Sequence, residues 1–167
     1  RQVVECLKAY NIKYVFGLIG SATMELFDAL YDEKSIKFID VRDERTGTHM
    51  ADAYARAAGR PGVIIAGQNG PGATNLVTGV AQAKAAFSPL VSIAGAIATE
   101  HVGKDAFQEV DQQKLFEPIT KKTFSIKDTG SIVEDLNKAL NLSTKGKWGP
   151  VHLNIPRDVL AGSRNFD

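Results

Sequence analysis

The sequence is poor in cysteine, methionine and tryptophan, with one, two and one in 167 residues, and it has no excess of either charge: 20 Lys and Arg against 19 Asp and Glu leave a formal net charge of +1. A lone cysteine, Cys6, excludes an intramolecular disulfide and any multi-cysteine metal site, and suits a reducing compartment, so a cytoplasmic protein is expected. Balanced charge provides no field to draw nucleic acid or an anionic membrane, and neither partner is expected. Long hydrophobic runs are missing too. The longest nearly apolar stretch, residues 90–98, is broken by Ser92 and Gly95 and is far too short to span a bilayer. The N-terminus has no signal-peptide pattern. His49, His101 and His152 make no metal-ligand spacing with Cys6 or with one another, which leaves them structural and the metal-ligand list empty. No G-x-S-x-G elbow is present, which argues against a serine hydrolase.

What is there reads as one globular domain: 44% hydrophobic, 8% aromatic and 23% charged residues, over a length able to bury a core. Short apolar runs at 14–18, 36–41, 63–66, 90–94, 123–126 and 151–155 are bounded by turn residues and predict strands. Between them lie helical stripes: Met24, Phe27, Leu30 and Tyr31; Leu76, Val77, Val80 and Ala81; Ile132, Val133, Leu136 and Leu140. This alternation predicts an α/β fold, a three-layer α/β/α sandwich around a mainly parallel sheet of about six strands. Trp148, just ahead of Gly149-Pro150, is expected to plug the sheet edge. One domain over residues 1–167 is expected, and because Arg1 already stands in a helical pattern, a piece of a longer multi-domain chain.

Parallel sheets bind ligands beyond the carboxyl ends of their strands. Here those ends lead into Gly20-Ser21-Ala22, Asp43-Glu44-Arg45, Gln68-Asn69-Gly70-Pro71-Gly72, Gly95-Ala96 and Pro156-Arg157-Asp158, all expected on one rim. Taken alone, Glu44 reads as an acid in the first turn of a helix running to about Gly59, favoured there by the backbone dipole. The turn before Gly72 lacks both the Gly-Lys-Ser/Thr ending of a phosphate loop and G-x-G-x-x-G, and alone it reads as an ordinary strand-to-helix turn.

The combination says more than its parts. In order, the chain carries Gly20-Ser21-Ala22, then Asp43-Glu44 leading to His49-Met50-Ala51-Asp52-Ala53-Tyr54-Ala55-Arg56. Gln68-Asn69-Gly70-Pro71-Gly72-Ala73-Thr74-Asn75, Asp105-Ala106-Phe107-Gln108-Glu109 and Gly149-Pro150-Val151 follow. From near Val3 to Leu160 this resembles the N-terminal, pyrimidine-binding domain of thiamine-diphosphate enzymes of the acetolactate synthase family, whose fold is flavodoxin- or Rossmann-like. The resemblance implies thiamine diphosphate as cofactor, with its aminopyrimidine half bound here. It makes Glu44 the activating glutamate that hydrogen-bonds the pyrimidine N1′, a role that calls for a partly desolvated carboxyl. It makes Gly70, Pro71, Gly72 and Asn75 the turn lining the pyrimidine pocket, and Ser21, Phe107, Gln108 and Arg157 the groups facing the reactive end and substrate, with Gln108 counted beside Glu44 as catalytic.

The substrate implied is a 2-oxo acid such as pyruvate, decarboxylated or joined to a second carbonyl compound. Arg157 stands where the family usually has lysine, Asp43 and Arg45 flank Glu44 where it usually has histidine and glutamine, and the Gly20 loop replaces its usual Gly-Gly. That loop, with Gln68 to Gly72, Asp111-Gln112, Phe116-Glu117 and Ile119-Thr120-Lys121, looks more like sulfoacetaldehyde acetyltransferases. A split 2-oxo-acid decarboxylase subunit is a related alternative, and a non-catalytic flavodoxin-like binding or assembly module is the alternative outside enzymes. No Gly-Asp-Gly occurs in the sequence, so Mg²⁺ and the cofactor's charged end are expected on a diphosphate-binding domain of another subunit, in a homodimer or homotetramer. The isolated domain is then inactive. The resemblance also allows FAD in a middle domain of the full-length protein, and no residue here is assigned to it.

Overall fold

In a computed structural model, which describes residues 1–163, each apolar run becomes a strand and each amphipathic stretch a helix. The chain runs α1 (Gln2–Ala9), β1 (Tyr14–Gly17), α2 (Met24–Asp32), β2 (Lys37–Asp40), α3 (Glu44–Ala58), β3 (Gly62–Ala66) and α4 (Gly70–Ala85). It continues with β4 (Leu90–Ala96), α5 (Gln112–Phe116), β5 (Lys122–Ser125), α6 (Ile132–Thr144), β6 (Val151–Pro156) and α7 (Arg157–Ala161). The six strands form one sheet in the order β2-β1-β3-β4-β6-β5, and every pairing is parallel. This is the expected α/β/α sandwich.

Strand alternation splits the core into two layers, because successive side chains point to opposite faces. Val15, Val63, Ile65, Val91, Ile93, Leu153 and Ile155 pack under α1, α2 and α6. Phe16, Ile64, Ala66, Leu90 and Ala94 pack under α3 and α4 with Phe116 of α5. Both faces are sealed, as a parallel sheet requires.

Two sequence expectations are corrected. The buried stripe of α2 is Leu26, Phe27 and Leu30, while Met24 and Tyr31 are exposed, Tyr31 by 81%. At about 100° per residue, positions 24 and 31 share a line that lies roughly 100° away from the middle of that stripe. Trp148 does not sit at the sheet edge: it lies just ahead of β6, an interior strand between β4 and β5, and is 39% exposed.

The start of α3 determines where Glu44 points. Asp43 has extended backbone and is the N-cap, its Oδ1 accepting from the Arg45 N–H at 2.7 Å, and Gly59 closes the helix in left-handed backbone at φ 62°. The Arg45 guanidinium lies 3.6 Å from the Asp43 carboxylate, so the two departures flanking Glu44 satisfy each other at the surface. Replacing Asp43 by alanine is expected to cost about 1 kcal/mol of stability, typical of a lost N-cap, measured by urea denaturation. A cost below about 0.3 kcal/mol would show that the cap is dispensable.

Candidate functional site

All six strands being parallel, their carboxyl ends and the loops that follow share one rim. Two clusters form there. In the first, Glu44, the opening residue of α3, is only 3% exposed. Its Oε2 accepts from Asn75 Nδ2 at 3.1 Å and its Oε1 accepts a long bond from the Gly67 N–H at 3.4 Å. No Lys, Arg or His among the described residues is ion-paired with it. A buried carboxyl held by neutral N–H donors, with no cation to neutralise it, is suited to sharing a proton with a ligand nitrogen. Gly72 makes room for this acid: a Cβ there would come 3.1 Å from Glu44 Oε1.

The second cluster surrounds a cavity of about 370 Å³ whose wall includes Ser21, Gln68, His101, Phe107, Gln108 and Arg157. All four residues expected to face substrate thus meet in one space. Ser21 Oγ donates to Gln68 Oε1 at 3.1 Å, and Gln68 adjoins Gly67, whose N–H reaches Glu44. The turn after β3 therefore joins the two clusters. Glu44 and Asn75 line neither this cavity nor the neighbouring one of about 700 Å³, which shares Asn69, Ala96, Ile97 and Gln108 with it. Pro71 is exposed at the start of α4. Gly70 is buried, and the space its missing side chain leaves is taken by the Gln108 main chain.

Sequence reasoning missed several members. Asn69 is the link between rim loops: its Nδ2 donates to the Phe107 and Gln108 carbonyls at 3.4 and 3.3 Å. It lies inside the string from Gln68 to Asn75 but carries no signal of its own in the sequence. His101, expected to be structural, stands on the cavity wall. His152 is structural: fully buried, it is stacked on Phe116 at 3.6 Å, with Nδ1 2.9 Å from Ser92 Oγ and Nε2 3.0 Å from Gln112 Oε1. Burial pulls its pKa down to about 3. The Gln112 amide in turn donates to the Gly95 carbonyl at 2.8 Å, tying α5 to the end of β4.

Among the described residues no group of three or more His, Cys, Asp or Glu is placed to hold a metal ion, and no helix is long and apolar enough to cross a membrane.

Comparison with known proteins adds independent findings. The sequence profile of the thiamine pyrophosphate enzyme N-terminal TPP binding domain matches residues 1–115. A probable acetolactate synthase large subunit of Methanocaldococcus jannaschii is 43% identical over 165 residues, 99% of this chain and 28% of that protein. The acetolactate synthase isozyme 3 large subunit of Escherichia coli K12 is 42% identical over 158 residues, 95% of this chain and 27% of its own length. A mitochondrial acetolactate synthase of Schizosaccharomyces pombe is 40% identical over 152 residues, 91% of this chain and 23% of that protein. The chain thus spans between a fifth and a third of these relatives.

Proposed function

The chain belongs to the thiamine pyrophosphate enzyme family, as its N-terminal TPP binding domain, and we propose that it holds the aminopyrimidine half of thiamine diphosphate within a longer, acetolactate-synthase-like protein of the cytoplasm. The observation that carries this reading is Glu44, a buried carboxyl with neutral hydrogen-bond donors and no cation partner, at the rim of a parallel sheet. When bound, thiamine diphosphate supplies a carbon nucleophile and an electron sink for cleaving a bond next to a carbonyl.

The rest is the work of this chain. Glu44 shares a proton with the ring N1′, and Asn75 and the Gly67 N–H hold the carboxyl in place for it. Gly72 keeps the Glu44 niche free of a side chain, and Gly70 and Pro71 shape the turn. Arg157 supplies a cation for an anionic substrate in the cavity that Ser21, Phe107 and Gln108 line, with Gln108 orienting a carbonyl or carboxylate. Mg²⁺ and the cofactor's charged end fall to a diphosphate-binding domain of another subunit, in a dimer or tetramer.

The test is turnover by the full-length protein with thiamine diphosphate and Mg²⁺, offering pyruvate (CO₂ release) and sulfoacetaldehyde with phosphate (sulfite release) separately. One of the two is expected to turn over, and Arg157→Ala to raise its KM about tenfold or more, as loss of a charged contact to a bound anion does. Turnover of neither by the wild type overturns the reading. An unchanged KM removes Arg157 from the substrate site.

A further inference from the structure

The loop between β4 and α5 has an unusual backbone. Gly103, Asp105 and Gln108 all have left-handed φ, at 77°, 53° and 62°, and two of these three carry a Cβ, which disfavours that region. A loop with two such residues does not hold this shape unaided.

The restraints come from two sides. The Glu109 carboxylate reaches back across the turn, Oε1 accepting from the Gly103 N–H at 2.6 Å and Oε2 from the Ala106 N–H at 3.2 Å. The Glu109 N–H closes the next turn, residues 106–109, on the Ala106 carbonyl at 2.9 Å. From the other side, Asn69 donates to the Phe107 and Gln108 carbonyls, and Gly70, without a Cβ, lets the Gln108 main chain seat against α4. Both carboxylate oxygens of Glu109 are spent on main-chain N–H groups either side of Asp105. The result is Phe107 standing 84% exposed and Gln108 on the cavity wall.

We propose that Glu109 is a positioning residue: its carboxylate clips the 103–106 turn and presets Phe107 and Gln108 for substrate before any ligand arrives. The role of those two residues rests on the function proposed above; the clip does not. A charge-assisted pair of bonds to the backbone stabilises the strained turn in the free protein, so the loop need not be ordered by substrate.

The test uses full-length protein, wild type, Glu109→Ala and Glu109→Gln, the last retaining one acceptor oxygen. Amide hydrogen exchange at Gly103 and Ala106 is expected to speed up about tenfold or more in Glu109→Ala and less in Glu109→Gln, as local opening becomes easier. With the cofactor loaded, KM for the substrate is expected to rise about tenfold in Glu109→Ala, partly rescued in Glu109→Gln, while thiamine diphosphate affinity stays unchanged. Exchange that is already fast in the wild type, or unaltered in Glu109→Ala, overturns the clip. Loosened amides with an unchanged KM overturn the positioning role. A wild type that turns over neither pyruvate nor sulfoacetaldehyde overturns the proposed function, while the exchange data still decide the clip.

Discussion

Glu44→Gln is expected to lower kcat/KM of the full-length, cofactor-loaded protein by about 10²- to 10⁴-fold, the range a positioned proton-transfer group contributes. The physical case begins with the carboxyl's two neighbours. One oxygen accepts from Asn75 Nδ2 and the other from the Gly67 N–H, so towards its protein neighbours the side chain has only to accept. Glutamine can satisfy one of these donors with its oxygen, but its NH₂ then faces the other, donor against donor. It also cannot share a proton with a ring nitrogen as a carboxyl does. The loss is expected in kcat more than in KM, because substrate is held by the separate cavity around Arg157. Steady-state kinetics, with circular dichroism to verify folding, gives the answer. Full activity in a folded Glu44→Gln protein would remove Glu44 from the chemistry and favour a domain that keeps the fold without the reaction.

The second large effect is acid destabilisation through His152. Its pKa is pulled from 6.5 to about 3 by burial, so the native state excludes a proton that the unfolded chain takes up below about 6.5. A lowered histidine pKa therefore leaves stability unaffected well above pH 6.5 and erodes it as pH falls from about 6.5 towards 3. The slope approaches about 1.4 kcal/mol per pH unit, so this one group removes about 2 kcal/mol between pH 7 and pH 5. The neutral ring suits the hydrogen bonds around it. Gln112 spends its NH₂ on the Gly95 carbonyl, so its Oε1 takes the His152 Nε2–H, while Nδ1 lies 2.9 Å from Ser92 Oγ, whose hydroxyl also reaches the Val151 carbonyl at 3.2 Å. Urea denaturation at pH 7 and pH 5 checks this: wild type is expected to lose about 2 kcal/mol more than His152→Gln across that interval. Equal losses would mean that His152 takes up its proton in the folded state.

The two effects differ in how far the sequence foretold them. Glu44 was singled out by its place after the second strand run and by the strings that resemble the acetolactate synthase family. Its burial beneath Gly72 and its bonds to Asn75 and Gly67 depend on residues up to 31 positions away. His152 looked inert and scattered among the histidines. It becomes the centre of a polar chain only because the register sets it beside Ser92, and because α5 brings Gln112 and Phe116 over it.

By itself the sequence determined the α/β alternation, the parallel sheet, the shared rim and the family, because these follow from hydrophobic period, turn residues and short collinear strings, all of which are local. The family resemblance also named Ser21, Phe107, Gln108 and Arg157 as one group, and all four line one cavity. Only the tertiary structure decided that Tyr31 faces solvent, that Gly70 seats the Gln108 main chain rather than open space, and that Asn69 and Glu109 hold the loop carrying Phe107. These are contacts between segments brought together by the sheet order, or bends of the backbone against its own preference. Local periodicity carries no information about either, since both are settled by which loops the fold places side by side.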